Sequence, residues 1–182
     1  MPTLYLVRHG QAAAGFAAHA DPGLDDTGRT QSIAAAKTLA QLAPMPVVSS
    51  PLARARETAE PLCERWQCKP SIEPRIAEIP SPTDDLAARS AWLQNAMQGT
   101  WSALGADYID WRVRLARYLM DCTEDTVLFS HYVAINAAVG YAQNDDRMLV
   151  FRPNNASITR LSTDGQTLRV LELGGEAITV VN

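Results

Sequence analysis

Apolar positions fall into two kinds of pattern along this chain. Short unbroken runs, Leu4-Tyr5-Leu6-Val7, Pro46-Val47-Val48-Ser49-Ser50 and Thr126-Val127-Leu128-Phe129-Ser130, have the form of parallel strands buried on both faces. Between them, apolar residues recur at helical spacing. Ile33, Ala36, Leu39, Ala40 and Ala43 follow the capping residues of Leu24-Asp25-Asp26-Thr27-Gly28 and stop at Pro44 and Pro46. Ala55, Thr58, Ala59, Leu62 and Trp66 mark a helix starting near Leu52, and Ile109, Val113, Ala116, Leu119 and Met120 mark the core side of another over about 107–121. A further helix is predicted from about Tyr132 to Tyr141. Strand and helix alternating over short connections predict βαβ units and a mostly parallel sheet.

The remaining segments depart from that alternation. Gly10 to Gly23 is rich in Ala, Gly and polar residues without a period, and reads as a loop over the first strand's exit. Residues 71–79 predict a short edge strand running into a loop, because Pro70, Pro74, Pro80 and Pro82 forbid central pairing. Helical spacing of Leu86, Trp92, Leu93 and Met97 within 83–105 predicts an inserted cap, about 79–105, beside the active edge. Its Trp92 and Trp101 either border the pocket mouth or pack in the core. Two final runs, Ala156 to Thr163 and Thr167 to Leu173, are joined by Asp164-Gly165, a hairpin signal.

Composition narrows the class. With 182 residues, 47% hydrophobic and 20% charged, the chain has the makeup of one soluble globular domain. A net charge of −4 argues against a nucleic-acid partner, so any basic cluster is local and suits a small anion. No apolar run approaches the ~20 residues that span a bilayer, and the chain enters its first strand without a leader, so no membrane partner and a cytoplasmic location are expected. Cys63, Cys68 and Cys122 neither form a disulfide framework nor complete a zinc site, and read as buried or inert reduced thiols. Asn155-Ala156-Ser157 matches a glycosylation acceptor, which has no meaning in the cytoplasm.

Chemistry gathers where the buried strands end. The first delivers Arg8-His9-Gly10, the second runs into Pro51-Leu52-Ala53-Arg54-Ala55-Arg56, and the third into His131-Tyr132. Ligands of open α/β sheets bind beyond the carboxyl ends of the strands, so Arg8, His9, Arg54 and His131 are expected to share one anion pocket. Arginine binds two phosphoryl oxygens at once, and glycine lets the backbone approach the ligand. His131 opens a helix, so its ring and the adjacent backbone N–H groups are expected to face the anion. Arg56 and Arg65 read as surface helix residues. A metal site of His9, His19 and His131 is disfavoured, since no carboxylate spacing supports it.

Leu6-Val7-Arg8-His9-Gly10-Gln11, Ser49 to Ala59, Leu24 to Gln31, Phe129-Ser130-His131 and Asn155 to Thr159, in that combination, resemble the histidine phosphatase superfamily, the phosphoglycerate mutase-like family, over nearly the whole chain. The resemblance implies a three-layer α/β/α fold and phosphomonoester hydrolysis without metal or cofactor. It also implies a phosphohistidine on His9, clamped by Arg8 and Arg54, with His131 stabilising the transition state. Glu78 is the expected proton donor, with Asp84 and Asp85 as substitutes, and Gln11 is an expected substrate contact. This chain departs from the family at Glu78-Ile79-Pro80-Ser81-Pro82, where relatives carry a glycine-rich turn, and at Gln11-Ala12-Ala13-Ala14. The expected partner is a phosphorylated small molecule or phosphoprotein. The alternatives are mutase-type transfer, whose enzymes carry insertions this chain lacks, and a phospholigand-binding regulatory protein with weak turnover.

Overall fold

The computed structural model describes residues 1–15 and 17–176, so Phe16, within the predicted 10–23 loop, lies outside the described residues. Among these, the apolar runs become β1 (Thr3–Arg8), β2 (Val47–Ser49) and β4 (Thr126–Ser130). The edge segment is β3 (Ser71–Ile72), followed by a 3-10 turn at Pro74–Ile76, and the final hairpin is β5 (Ile158–Thr163) and β6 (Leu168–Glu172). The strands form one sheet in the order β3-β2-β4-β1-β5-β6. β3, β2, β4 and β1 run parallel, whereas β5 and β6 add antiparallel to β1. The hairpin turns at Asp164-Gly165, where Gly165 takes φ +88°, a conformation open to glycine.

Alternation along each strand divides the core in two. Leu4, Leu6, Val48 and Leu128 point towards α5 (Ala106–Met120) and α6 (Tyr132–Gln143), meeting Leu115, Leu119 and Ile135. Val7, Val47, Val127 and Phe129 point towards α1 (Asp26–Leu39) and α2 (Ala53–Trp66), meeting Ala36, Leu39, Ala59 and Leu62. The fold is a three-layer α/β/α sandwich with a mostly parallel sheet. Helix α6 is buried from Tyr132 to Gly140, and the described residues contain no helix long and apolar enough to cross a membrane.

Three details differ from the sequence pattern. Helix α1 ends at Leu39, before Pro44, and buries Gly28, Ser32, Ala35, Ala36 and Leu39, leaving Ile33 53% exposed. Small residues on that face bring the helix close to its neighbours, and the stripe they form is rotated from the one Ile33 suggests. In α5, Ile109 is 39% exposed, because the helix's first half packs through Trp111 stacked on Trp101, ring centroids 5.8 Å apart. Residues 79–105 contain α3 (Leu86–Ala96) and α4 (Trp101–Leu104). Trp101 is wholly buried in the core, so its ring borders no pocket mouth, and Trp92 packs beside Tyr108.

Candidate active site

The parallel strands β1, β2 and β4 all end at one edge, and each hands the chain to a loop or helix carrying a charged or titratable residue. Arg8, His9, Arg54, Glu78 and His131 are all buried. The Arg54 Nε–H donates to His9 Nε2 at 3.2 Å, and the rings of His9 and His131 lie with centroids 5.2 Å apart. Four residues from three strand exits therefore meet, and the fifth arrives on the loop after β3.

Hydrogen bonding assigns the state of both imidazoles. His9 Nδ1 lies 2.7 Å from the Gly10 carbonyl, which only accepts, so the ring proton sits on Nδ1 and the Nε2 lone pair faces Arg54. Burial, then Arg54, then Arg8 hold this imidazole well below its ordinary 6.5, so it is neutral at pH 7. His131 Nε2 lies 2.7 Å from the Ser50 hydroxyl, whose oxygen already accepts from the Leu52 N–H at 3.2 Å. The buried Ser50 hydroxyl has no other acceptor for its proton among the described residues, so it donates to Nε2, and the His131 proton sits on Nδ1, a buried atom without a hydrogen-bond partner. Burial, Arg54 and His9 keep His131 neutral as well. His131 thus presents a donor and His9 a lone pair.

The surrounding backbone is fixed by close approaches. A Cβ on Gly10 would stand 2.6 Å from the Gly28 carbonyl, and one on Gly28 would strike the Gln11 carbonyl, so α1 begins directly on the Arg-His-Gly turn only because both residues are glycine. The Thr58 hydroxyl accepts from Gly10 N–H at 2.9 Å and donates to the Arg54 carbonyl at 2.6 Å, joining β1's exit to α2. Arg8 donates from Nη1 to the Pro153 carbonyl at 2.9 Å and lies over the Tyr132 ring, while its Nε has no partner. The Asn155 side-chain amide donates to the His9 carbonyl at 3.1 Å.

Glu78 occupies the start of α6. Its Oε2 accepts from Val133 N–H and its Oε1 from Ala134 N–H, both at 3.1 Å, with a third bond from Ile79 N–H at 3.0 Å. The helix N–H groups expected to face a phosphate thus face this carboxyl group instead. Burial pushes the Glu78 carboxyl above the usual carboxylate range, against the lowering by Val133, Ile79, Arg54 and Ala134. Its charge in turn raises Arg8 and Arg54, though burial dominates and leaves both guanidiniums below their usual value.

The sequence model of the histidine phosphatase superfamily (branch 1) matches residues 4–175. The chain belongs to that superfamily. Glucosyl-3-phosphoglycerate phosphatase of Mycobacterium tuberculosis (strain CDC 1551 / Oshkosh) is 30% identical over 174 residues, 87% of this chain and 73% of that protein. The probable phosphoglycerate mutase GpmB of Erwinia tasmaniensis is 27% identical over 184 residues, 88% of this chain and 85% of that one. The solved mycobacterial glucosyl-3-phosphoglycerate phosphatase in complex with VO3 superposes with a TM-score of 0.73 at 25% identity, covering 97% of this chain and all of its own.

In this histidine phosphatase, not every residue singled out from the sequence joins the cluster. Gln11 is exposed, and its side-chain amide donates to Asp25 at 2.8 Å. Asp85 caps α3 by accepting from Ala88 N–H, Asp84 is exposed, and exposed His19 accepts from Asp21 N–H. Arg56 and Arg65 lie on the exposed side of α2. Among the described residues no group of three His, Cys, Asp or Glu is placed to hold a metal ion. Ser50, Thr58, Pro153 and Asn155 were missed as site residues. Ser50 and Thr58 lie inside the motif around Arg54 and Asn155 opens the late 155–159 motif, so membership of those motifs is the signal that was available for them, and Pro153 had none.

Proposed function

We propose that this protein hydrolyses phosphomonoesters through a phosphohistidine formed on His9 Nε2, without a metal ion. The observation that carries the reading is the matched pair of tautomers: a lone pair on His9 Nε2 and a proton on His131 Nδ1, among the guanidiniums of Arg8 and Arg54. When a phosphoryl group arrives, the donors of Arg54 pass to its oxygens and release the His9 lone pair for attack. Arg8 and His131 Nδ1–H supply further donors as negative charge spreads over the oxygens, and positioning of this kind supplies most of phosphoryl-transfer catalysis.

As the Nε2–P bond forms, the bond from phosphorus to the leaving oxygen breaks, and protonated Glu78 gives that oxygen its proton. In the second half, Glu78 as carboxylate takes a proton from water, the water oxygen bonds to phosphorus, and the Nε2–P electron pair returns to His9. Burial raises the Glu78 carboxyl above the usual carboxylate range and so favours the protonated form that a proton donor needs. Arg89 of α3, whose charge bears on Arg54, favours an anionic leaving group, and the names of the relatives put phosphoglycerate-type esters first among the substrates to try. This reading treats residues 79–105 as a cap contributing to substrate choice. Free thiols suit a reducing compartment, and the reading places the enzyme in the cytoplasm.

The test is release of phosphate from para-nitrophenyl phosphate and a panel of phosphorylated organic acids, in chelator, for wild type and His9→Ala. Turnover that persists in chelator and falls at least about 10³-fold in the variant is expected. A folded wild type that binds vanadate but releases no phosphate would leave a phospholigand-binding regulator instead.

A further inference from the structure

Helix α2 carries the catalytic arginine at its first turn and ends in a pair of thiols. Its last turn closes with Gln67 in the left-handed conformation, φ 52° and ψ 45°. The Cys68 N–H then donates back to the Cys63 carbonyl at 3.0 Å, and the Gln67 N–H to the Glu64 carbonyl at 3.3 Å. These two bonds are the Schellman arrangement, whose side chains at the first and last of its six residues meet across the cap. That contact is ordinarily apolar. Here the two positions are Cys63 and Cys68.

The two thiols differ in access. Cys63 is buried on the α2 side of the core, packed with Leu62 and Ala59, whereas Cys68 is exposed. Burial, followed by the neighbouring Cys68 thiol, pushes Cys63 up to about 12. Cys68 is thus the thiol a reagent from solution reaches, and Cys63 the one that answers from inside. Cys122, at the end of α5, belongs to the opposite core.

We propose that Cys63 and Cys68 form a reversible disulfide site, closed by a small-molecule disulfide such as glutathione disulfide. In the first exchange the Cys68 thiolate bonds to one sulfur of the reagent and expels one glutathione thiolate. In the second, Cys63 loses its proton, bonds to Cys68 Sγ and expels the second glutathione. Two protein thiols are oxidised by two electrons and one reagent disulfide is reduced to two thiols. The capped turn holds the pair face to face, so the bond forms without moving the helix and ties α2 to the chain leading into β3.

The experiment treats the folded protein with glutathione disulfide, blocks the remaining thiols and maps tryptic peptides without reduction. Trypsin cuts after Arg65, between the two cysteines, so closure appears as peptide 57–65 linked to peptide 66–75 with the mass of two hydrogens lost. Cys122 stays alkylated. The oxidised protein is expected to melt several degrees higher than the reduced one, because a bond that fits the native turn stabilises it relative to the open chain. Glutathione left on Cys68 with Cys63 still alkylated would overturn the proposal. So would a linked pair with an unchanged or lower melting point, since the native cap would then resist the bond.

Discussion

Helices α1 and α6 both begin beside the site, and they close their first turns in different ways. Helix α1 uses a neighbour in sequence: the Asp25 carboxylate accepts from Gly28 N–H at 2.7 Å. Helix α6 begins at His131, which has no capping bond of its own, and its N–H groups are satisfied by Glu78, 55 residues upstream. This local cap stabilises its helix with one carboxylate oxygen and holds the exposed Gln11 amide with the other. A carboxyl group brought from another loop to the same kind of position is buried, raised in pKa and coupled through its charge to Arg8 and Arg54, so the residue that caps α6 is also the proton donor of the proposed reaction.

The variant that breaks this comparison most severely is Glu78→Gln. Loss of the proton donor is expected to lower kcat by about 10²–10⁴-fold. The amide places an N–H₂ against the backbone donors of α6 and costs about 1–3 kcal/mol of stability. Unchanged turnover of an alkyl phosphomonoester would remove Glu78 from the chemistry and leave it a cap, like Asp25.

Acid separates the two ends next. His9 and His131 are held neutral in the folded protein, so below pH 6.5 the unfolded chain binds protons that the native state refuses. The stability supplied by these groups is therefore present at higher pH and is lost as pH falls through 6.5 towards the depressed native values. The two histidines contribute a slope of up to about 2.7 kcal/mol per pH unit while both are unprotonated in the fold, and Glu78, which keeps its proton in the fold to higher pH than in the open chain, offsets part of it. Denaturant midpoints from pH 7.5 to 5 check this, and stability that rises as pH falls would mean that the histidines take up protons in the fold at least as readily as in the open chain.

Smaller effects sharpen the contrast. Ser50→Ala removes the proton aimed at His131 Nε2, so the ring is free to change tautomer. A kcat about tenfold lower, equal to about 1.4 kcal/mol, is expected, together with a shift of the His131 ¹⁵N resonances that a purely packing role would not produce. Asp25→Ala is expected to cost about 1 kcal/mol with turnover retained. A large loss of turnover in that variant would mean that Gln11, which Asp25 holds, takes part in the reaction.

Much of this was legible beforehand for reasons specific to each segment. Buried parallel strands read as unbroken apolar runs, and Arg8, His9, Arg54 and His131 follow directly from their ends, so placing the strands placed the residues. Trp101 was ambiguous between pocket and core because helical spacing gives a face but not its neighbour, and Trp111 supplies that neighbour only when α4 folds onto α5. Ile33 misled for a related reason: the close approach of α1 to the site rewards Gly28 and the alanines over a larger side chain.

The sequence by itself determined the strands, the hairpin, the capping residues before α1 and the arginine- and histidine-bearing ends of β1, β2 and β4, because period, capping and turn chemistry act over a few residues. Tertiary structure decided which atoms face one another. The bonds from Arg54 to His9, Ser50 to His131 and Arg8 to Pro153 span 45, 81 and 145 residues, and they assign the tautomers and orient the guanidiniums. It also decided that the N-terminus of α6 holds Glu78, because a buried N–H takes whichever acceptor the folded chain brings within reach.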